Sequence, residues 1–130
     1  MIDTDYENGQ VVIKRGEKVT KTFTFKDFVS AKEFKPVNKL KNDLAEIANG
    51  KAEKTQKEVE TLERKFYEQV TQVGLKNPLP YEEALEIMTV PELGKLSEEI
   101  LIFLVNWSSI DEVKQFGKQL SETQQKEEKH

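Results

Sequence analysis

Six consecutive apolar residues, Ile100 to Val105 (ILIFLV), stand in a chain whose residues are 34% charged. No other feature limits the possible folds as much. With Leu93 and Leu96 before the run and Trp107 after it, the spacing predicts one helix ending near Asn106. Thr89 and Glu92, with Pro91 between them, have the spacing of a capping box that opens this helix. A helix on a protein surface carries a single apolar stripe, whereas one that is apolar all round belongs inside a core. Two arrangements satisfy this sequence. Either several elements surround the helix, or one of its sides faces an open groove that receives a partner. In the second arrangement the candidate lining is Leu96, Ile100, Phe103, Leu104, Trp107 and Phe116.

The remaining chain supplies the surrounding elements. Val11-Val12-Ile13, a turn at Lys14 to Glu17, and Val19 to Phe25 predict a β-hairpin over residues 11–25, with Val19, Lys21, Phe23 and Phe25 on one face. Ser30 and Glu33 have capping-box spacing. Val37, Leu40, Leu44, Ile47 and Ala48 then form a helical stripe that stops at Asn49-Gly50. Pro36 either ends a short turn or kinks this helix. Residues 51–58 are polar, a loop or an exposed helix start. Val59, Leu62, Phe66, Val70 and Val73 make a second stripe, closed by Gly74. Pro80 suits the first position of a short helix, Tyr81 to Met88. Ser109 and Glu112 open a last helix with Ile110, Val113, Phe116 and Leu120 on one side. The expected fold is mainly α: a small helical domain of about five helices over residues 11–120 with an N-terminal β-hairpin. Residues 1–10 are expected to be a flexible N-terminus. Residues 121–130, which hold no apolar side chain, are expected to be a disordered tail.

Composition narrows the function. The chain has 130 residues and is 36% hydrophobic, enough for one domain burying roughly two-thirds of its unfolded surface. It has no cysteine and one histidine, the terminal His130. Disulfides, thiol nucleophiles, cysteine zinc sites and histidine chemistry are thereby excluded or disfavoured. The net charge of −4 argues against a general nucleic-acid binder. The apolar run is far shorter than the roughly 20 residues of a membrane span, and the polar start does not read as a signal peptide. The expectation is a soluble cytoplasmic protein without enzymatic activity, cofactor or metal. Glu82, Glu83 and Glu86 cluster, but acidic residues in a first helical turn answer to the backbone dipole. Ser108 and Ser109 lack a histidine base. Charge is segregated: residues 11–42 carry nine basic and three acidic side chains, and residues 82–112 one basic and eight acidic. These segments are either two solvated faces of opposite sign or the two halves of a head-to-tail contact between copies.

Three segments resemble a known family. Lys21-Thr22-Phe23-Thr24-Phe25-Lys26-Asp27-Phe28-Val29-Ser30-Ala31 is similar to the segment after a short hairpin in tail assembly chaperones of long-tailed phages infecting Gram-positive bacteria. Asn77-Pro78-Leu79-Pro80-Tyr81-Glu82-Glu83-Ala84-Leu85 resembles their opening of a helix. Leu93-Gly94-Lys95-Leu96-Ser97-Glu98-Glu99-Ile100 resembles their final apolar helix. The likeness spans about residues 11–116. It departs at Lys32, where arginine is common, and at Pro36. The resemblance implies a non-enzymatic protein of the host cytoplasm that keeps the long, apolar, helical tape measure protein soluble. Tail tube subunits then replace it, and it is absent from the mature virion. The competing expectation is a small structural tail or head-completion protein of the virion, whose hairpin would add to a neighbour's sheet.

Overall fold

The computed structural model describes residues 1–128, with side chains through residue 124. Three antiparallel strands, β1 (Ile2–Asp5), β2 (Gln10–Arg15) and β3 (Lys18–Thr24), form a sheet in the order β1-β2-β3. Five helices follow: α1 (Ala31–Ala48), α2 (Gln56–Gly74), α3 (Tyr81–Ile87), α4 (Val90–Asn106) and α5 (Ile110–Glu128). The protein is mainly helical with an N-terminal antiparallel sheet, as the sequence predicts.

The hairpin is β2–β3, closed at Gly16, whose φ of 65° suits glycine. A third strand joins it. Residues 2–5, expected to be flexible, pair with β2 in the register Ile2↔Ile13 to Asp5↔Gln10. The chain then turns through Tyr6 to Gly9, with Asp5 Oδ1 accepting from the Asn8 N–H at 3.2 Å. Ile2 is buried in the same core as Val11, Ile13, Phe23 and Phe25. A second difference lies in β3. The register slips between Ile13 and Lys14, so that Ile13 faces Lys21 while Lys14 faces Val19. Such a bulge breaks the two-residue alternation. Val19 therefore leaves the inner face and stands 47% exposed.

The helix boundaries follow local chemistry. Ser30 Oγ accepts from the Glu33 N–H and caps α1, and Thr55 does the same with Glu58 for α2. Pro36 lies inside α1 with its ring exposed, and the helix continues past it to Ala48. Gly50, at φ 74°, ends α1. Both members of the Thr89–Glu92 capping box are formed at α4. At α5 the expected Ser109 cap is replaced by Glu112, whose carboxylate accepts from the Ser108 N–H at 2.8 Å.

The core lies where the inner face of the sheet meets α4 and the C-terminal half of α2. Gly74 permits close approach there, because a Cβ would stand 2.3 Å from Cγ2 of Ile100. Gly117 acts similarly for α5, lying against the Tyr6–Glu7 backbone. This helix runs on to Glu128, so residues 121–128 are helical where disorder was expected, and residues 129 and 130 lie outside the described residues. Residues 121–130 contain no apolar side chain, so almost no stabilising burial depends on them. Deleting them is expected to shift the melting temperature by less than about 3 °C, corresponding to under ~1 kcal/mol. A larger fall in a thermal scan would show that this stretch is docked.

Candidate functional site

The six candidate lining residues divide into three groups. Leu96, Ile100 and Phe103 are buried in the core, so they line no groove. Ile100 lies against Gly74 of α2. Phe103 stacks on Phe25, the residue just after β3, at a centroid distance of 4.3 Å and an interplanar angle of 11°. The apolar run is thus encircled on this side, because the hairpin and Gly74 of α2 arrive there from distant parts of the chain. Leu104 and Trp107 are half-buried at the rim. Phe116 sits behind Trp107, with ring centroids 5.4 Å apart, and closes an aromatic trio with Tyr6, 5.2 Å from Phe116 and 5.8 Å from Trp107.

Leu104 and Trp107 border an open depression of about 470 Å³ between the C-terminal end of α4 and the start of α1. Its other apolar walls are Phe28, Val29, Phe34 and Val105. Local helix chemistry explains two of these. With Ser30 as N-cap, Val29 and Phe34 hold the two positions of a hydrophobic staple, which fixes how the chain enters α1. The other two have no such role. Phe28 is 65% exposed and Val105 59% exposed.

Backbone mobility does not account for the exposure of Phe28. The Lys26 N–H donates to the Gly74 carbonyl at 2.8 Å, and the Ile110 N–H donates to the Asp27 carbonyl at 3.0 Å. Phe25 and Phe28 form single antiparallel bridges with Leu75 and Ser109. An aromatic ring is therefore presented to solvent from a backbone held on both sides. At the opposite wall, Asn106 Nδ2 donates to the Ile102 carbonyl at 2.9 Å and steadies the end of α4. The polar lining consists of Ser30, Asn106 and Ser108, with no titratable side chain. Chemically the site can bury apolar groups and offer a few hydrogen bonds.

Sequence reasoning missed Phe28, Val29, Phe34 and Val105. The staple spacing about Ser30 was legible. The exposure of Phe28 was not, because it depends on where residues 107–110 return.

The other candidate chemistry has structural explanations. Glu82 forms an ion pair with Arg64 at 2.9 Å, and the Arg64 guanidinium lies 5.1 Å from the Tyr81 ring centroid. Tyr67 donates to the Leu79 carbonyl at 3.0 Å, and burial pushes its pKa up to about 12. Among the described residues, no group of three or more His, Cys, Asp or Glu is placed to hold a metal ion, and no helix is long and apolar enough to cross a membrane. The two segments of opposite charge meet within one molecule: Arg15 of β2 forms a two-pronged ion pair with Glu92 of α4, at 2.5 and 2.7 Å. A scan against protein-family models matches none, and neither the curated proteins nor the solved structures yield a match.

Proposed function

We propose that this chain is a tail assembly chaperone whose apolar depression holds a helical segment of the tape measure protein. The observation that carries this reading is the exposed Phe28 ring, held on a pinned backbone opposite Val105 and flanked by Leu104 and Trp107. An apolar surface without an intramolecular partner favours interaction with another chain. The resemblance of residues 21–31, 77–85 and 93–100 to that chaperone family supplies the identity of the partner. The site takes a helix in groove fashion, with apolar anchors at i, i+3, i+4 and i+7. Each large anchor fully buried is worth about 1.5–3 kcal/mol before ordering costs. Two or three anchors give binding that tail tube subunits can later displace. The protein then acts in the host cytoplasm, as a partner during assembly rather than a component of the particle.

The test is co-expression with fragments of the tape measure protein encoded in the same genome. Solubility of the fragment and the emission of Trp107, the only tryptophan, are the readouts. The wild type is expected to keep at least one apolar helical fragment soluble and to shift Trp107 emission to the blue. Phe28→Asp and Val105→Lys, both at exposed positions, are expected to abolish both effects without altering the circular dichroism spectrum. If no fragment is rescued and Trp107 emission never moves, the chaperone reading fails. Finding the protein by mass spectrometry in purified virions would put the structural tail or head-completion reading in its place.

A further inference from the structure

Helices α1 and α2 form an antiparallel hairpin, and its two ends differ in burial. At the base, Val37, Tyr67 and Val70 are buried in the core, where α2 also packs on α4. Toward the tip, Leu40, Leu44 and Ile47 of α1 and Val59, Leu62 and Phe66 of α2 remain only half-buried. Two helices alone cannot cover an apolar stripe this long, and bundles cover such stripes with further helices.

The charges along this arm have a matching polarity. The base, residues 31–42 with 64–74, carries six basic and two acidic side chains, a net +4. The tip, residues 43–63, carries three basic and six acidic ones, a net −3. Lys39, Glu60 and Glu63 are exposed, Lys41 is half-buried beside the stripe, and none of the four forms an ion pair within the described residues. A second arm laid antiparallel sets each negative tip over a positive base. A parallel arrangement sets like charges together.

We propose that the α1–α2 arm is a self-association surface, on which the arm of a second copy packs antiparallel to complete a four-helix bundle. The contact is isologous, so it closes at a dimer and does not propagate as a head-to-tail series would. The half-buried stripe it covers, Leu40 to Ile47 and Val59 to Phe66, shares no residue with the lining of the depression beside Phe28, and the contact stands independently of the proposed partner. Ends of opposite charge also set the orientation, the role that charged flanking positions play in paired helices.

The test uses two full-length variants, Glu60→Lys/Glu63→Lys at the tip and Lys39→Glu/Lys41→Glu at the base, in sedimentation equilibrium at low salt. The wild type is expected to reach twice the 15.0-kDa monomer mass. Its dissociation constant should rise roughly tenfold or more from 50 to 500 mM salt as the rim charges are screened. Each variant alone is expected to be monomeric, with an unchanged circular dichroism spectrum. Mixed in equal amounts they are expected to dimerise again, because the reversed tip then meets the reversed base. A wild-type monomer at high concentration overturns the proposal, as do variants that dimerise like the wild type. Monomeric variants whose mixture fails to recover the dimer overturn the antiparallel geometry.

Discussion

Phe103→Asp is expected to unfold the protein, whereas Phe28→Asp leaves it folded. Phe103 is 2% exposed and stacked on Phe25 between the sheet and α4. Truncating a buried phenylalanine to alanine already costs about 3–5 kcal/mol. Aspartate adds the penalty of a buried carboxylate without a partner, which either stays charged at high cost or takes up a proton. A small domain has only about 5–15 kcal/mol in total, so the loss approaches the whole. Circular dichroism at 25 °C is expected to show a collapse of helical signal and no cooperative melt. Phe28, with its ring in solvent, loses little folded-state burial on the same change, and its melt should stay within about 3 °C of the wild type. The contrast between the two phenylalanines separates core from docking surface. A folded Phe103→Asp that still melts cooperatively near the wild-type temperature would show that the α4 face against Phe25 is not a packed core.

This contrast also marks what could be read from the sequence. Helical spacing placed Leu96, Ile100, Phe103 and Leu104 together on one helix, and the structure keeps them there, with Trp107 as its extended C-cap. Spacing cannot say which side is covered, because the cover comes from elsewhere: Phe25 from the hairpin and Gly74 from α2. Gly74 was legible as a helix stop. Its second role, making room for Ile100, depends on a contact 26 positions away in the chain. Capping chemistry was the most legible layer, since Ser30, Thr89 and the Asn49-Gly50 stop act within one turn. Strand β1 was missed for a different reason. In Ile2-Asp3-Thr4-Asp5 the two-residue alternation rests on one apolar side chain and a threonine, and the acidic residues dominate the composition. Its pairing becomes evident only once the β2 edge is in place and Thr4 Oγ1 reaches Glu99 at 2.7 Å.

The charge segregation of the sequence has a counterpart inside the fold. The two segments, 11–42 and 82–112, were compatible with two solvated faces of opposite sign or with a contact between copies. In the fold, Arg15 and Glu92 join those segments inside one chain. Along the α1–α2 arm the charge changes sign once within each helix. A count over 30 residues averages this away. Periodicity and charge must be combined, helix by helix, before such a feature shows.

Glu92→Gln is expected to lower stability by about 2 kcal/mol at pH 7, with the difference shrinking as the pH falls. Glu92 serves three partners at once, one of them the Met1 ammonium. Its carboxylate takes the Thr89 N–H in the capping box of α4, at 2.9 Å, and the Arg15 guanidinium from β2. Hydrogen bonds to a charged group contribute roughly 1.5–3 kcal/mol, and the amide keeps only part of them. The melting temperature should fall by about 6–10 °C for a domain of this size. The Arg15 guanidinium, aided by the Met1 ammonium and the Thr89 bonds, holds the Glu92 carboxyl far below its ordinary value of 4.5. A carboxylate whose folded-state pKa is depressed contributes its full stabilisation above the unfolded value and loses it as the pH drops toward the folded one. The wild type should therefore lose stability progressively below about pH 4.5, and Glu92→Gln should show a shallower acid slope. Arg15→Gln tests the same link from the sheet side, since it removes the larger of the two cationic influences on Glu92 and should also flatten the slope in part. Urea titrations at pH 7, 5, 4 and 3 measure the gap directly. A gap that stays constant across these values would mean that the Arg15–Glu92 pair does not tie the hairpin to α4 in solution.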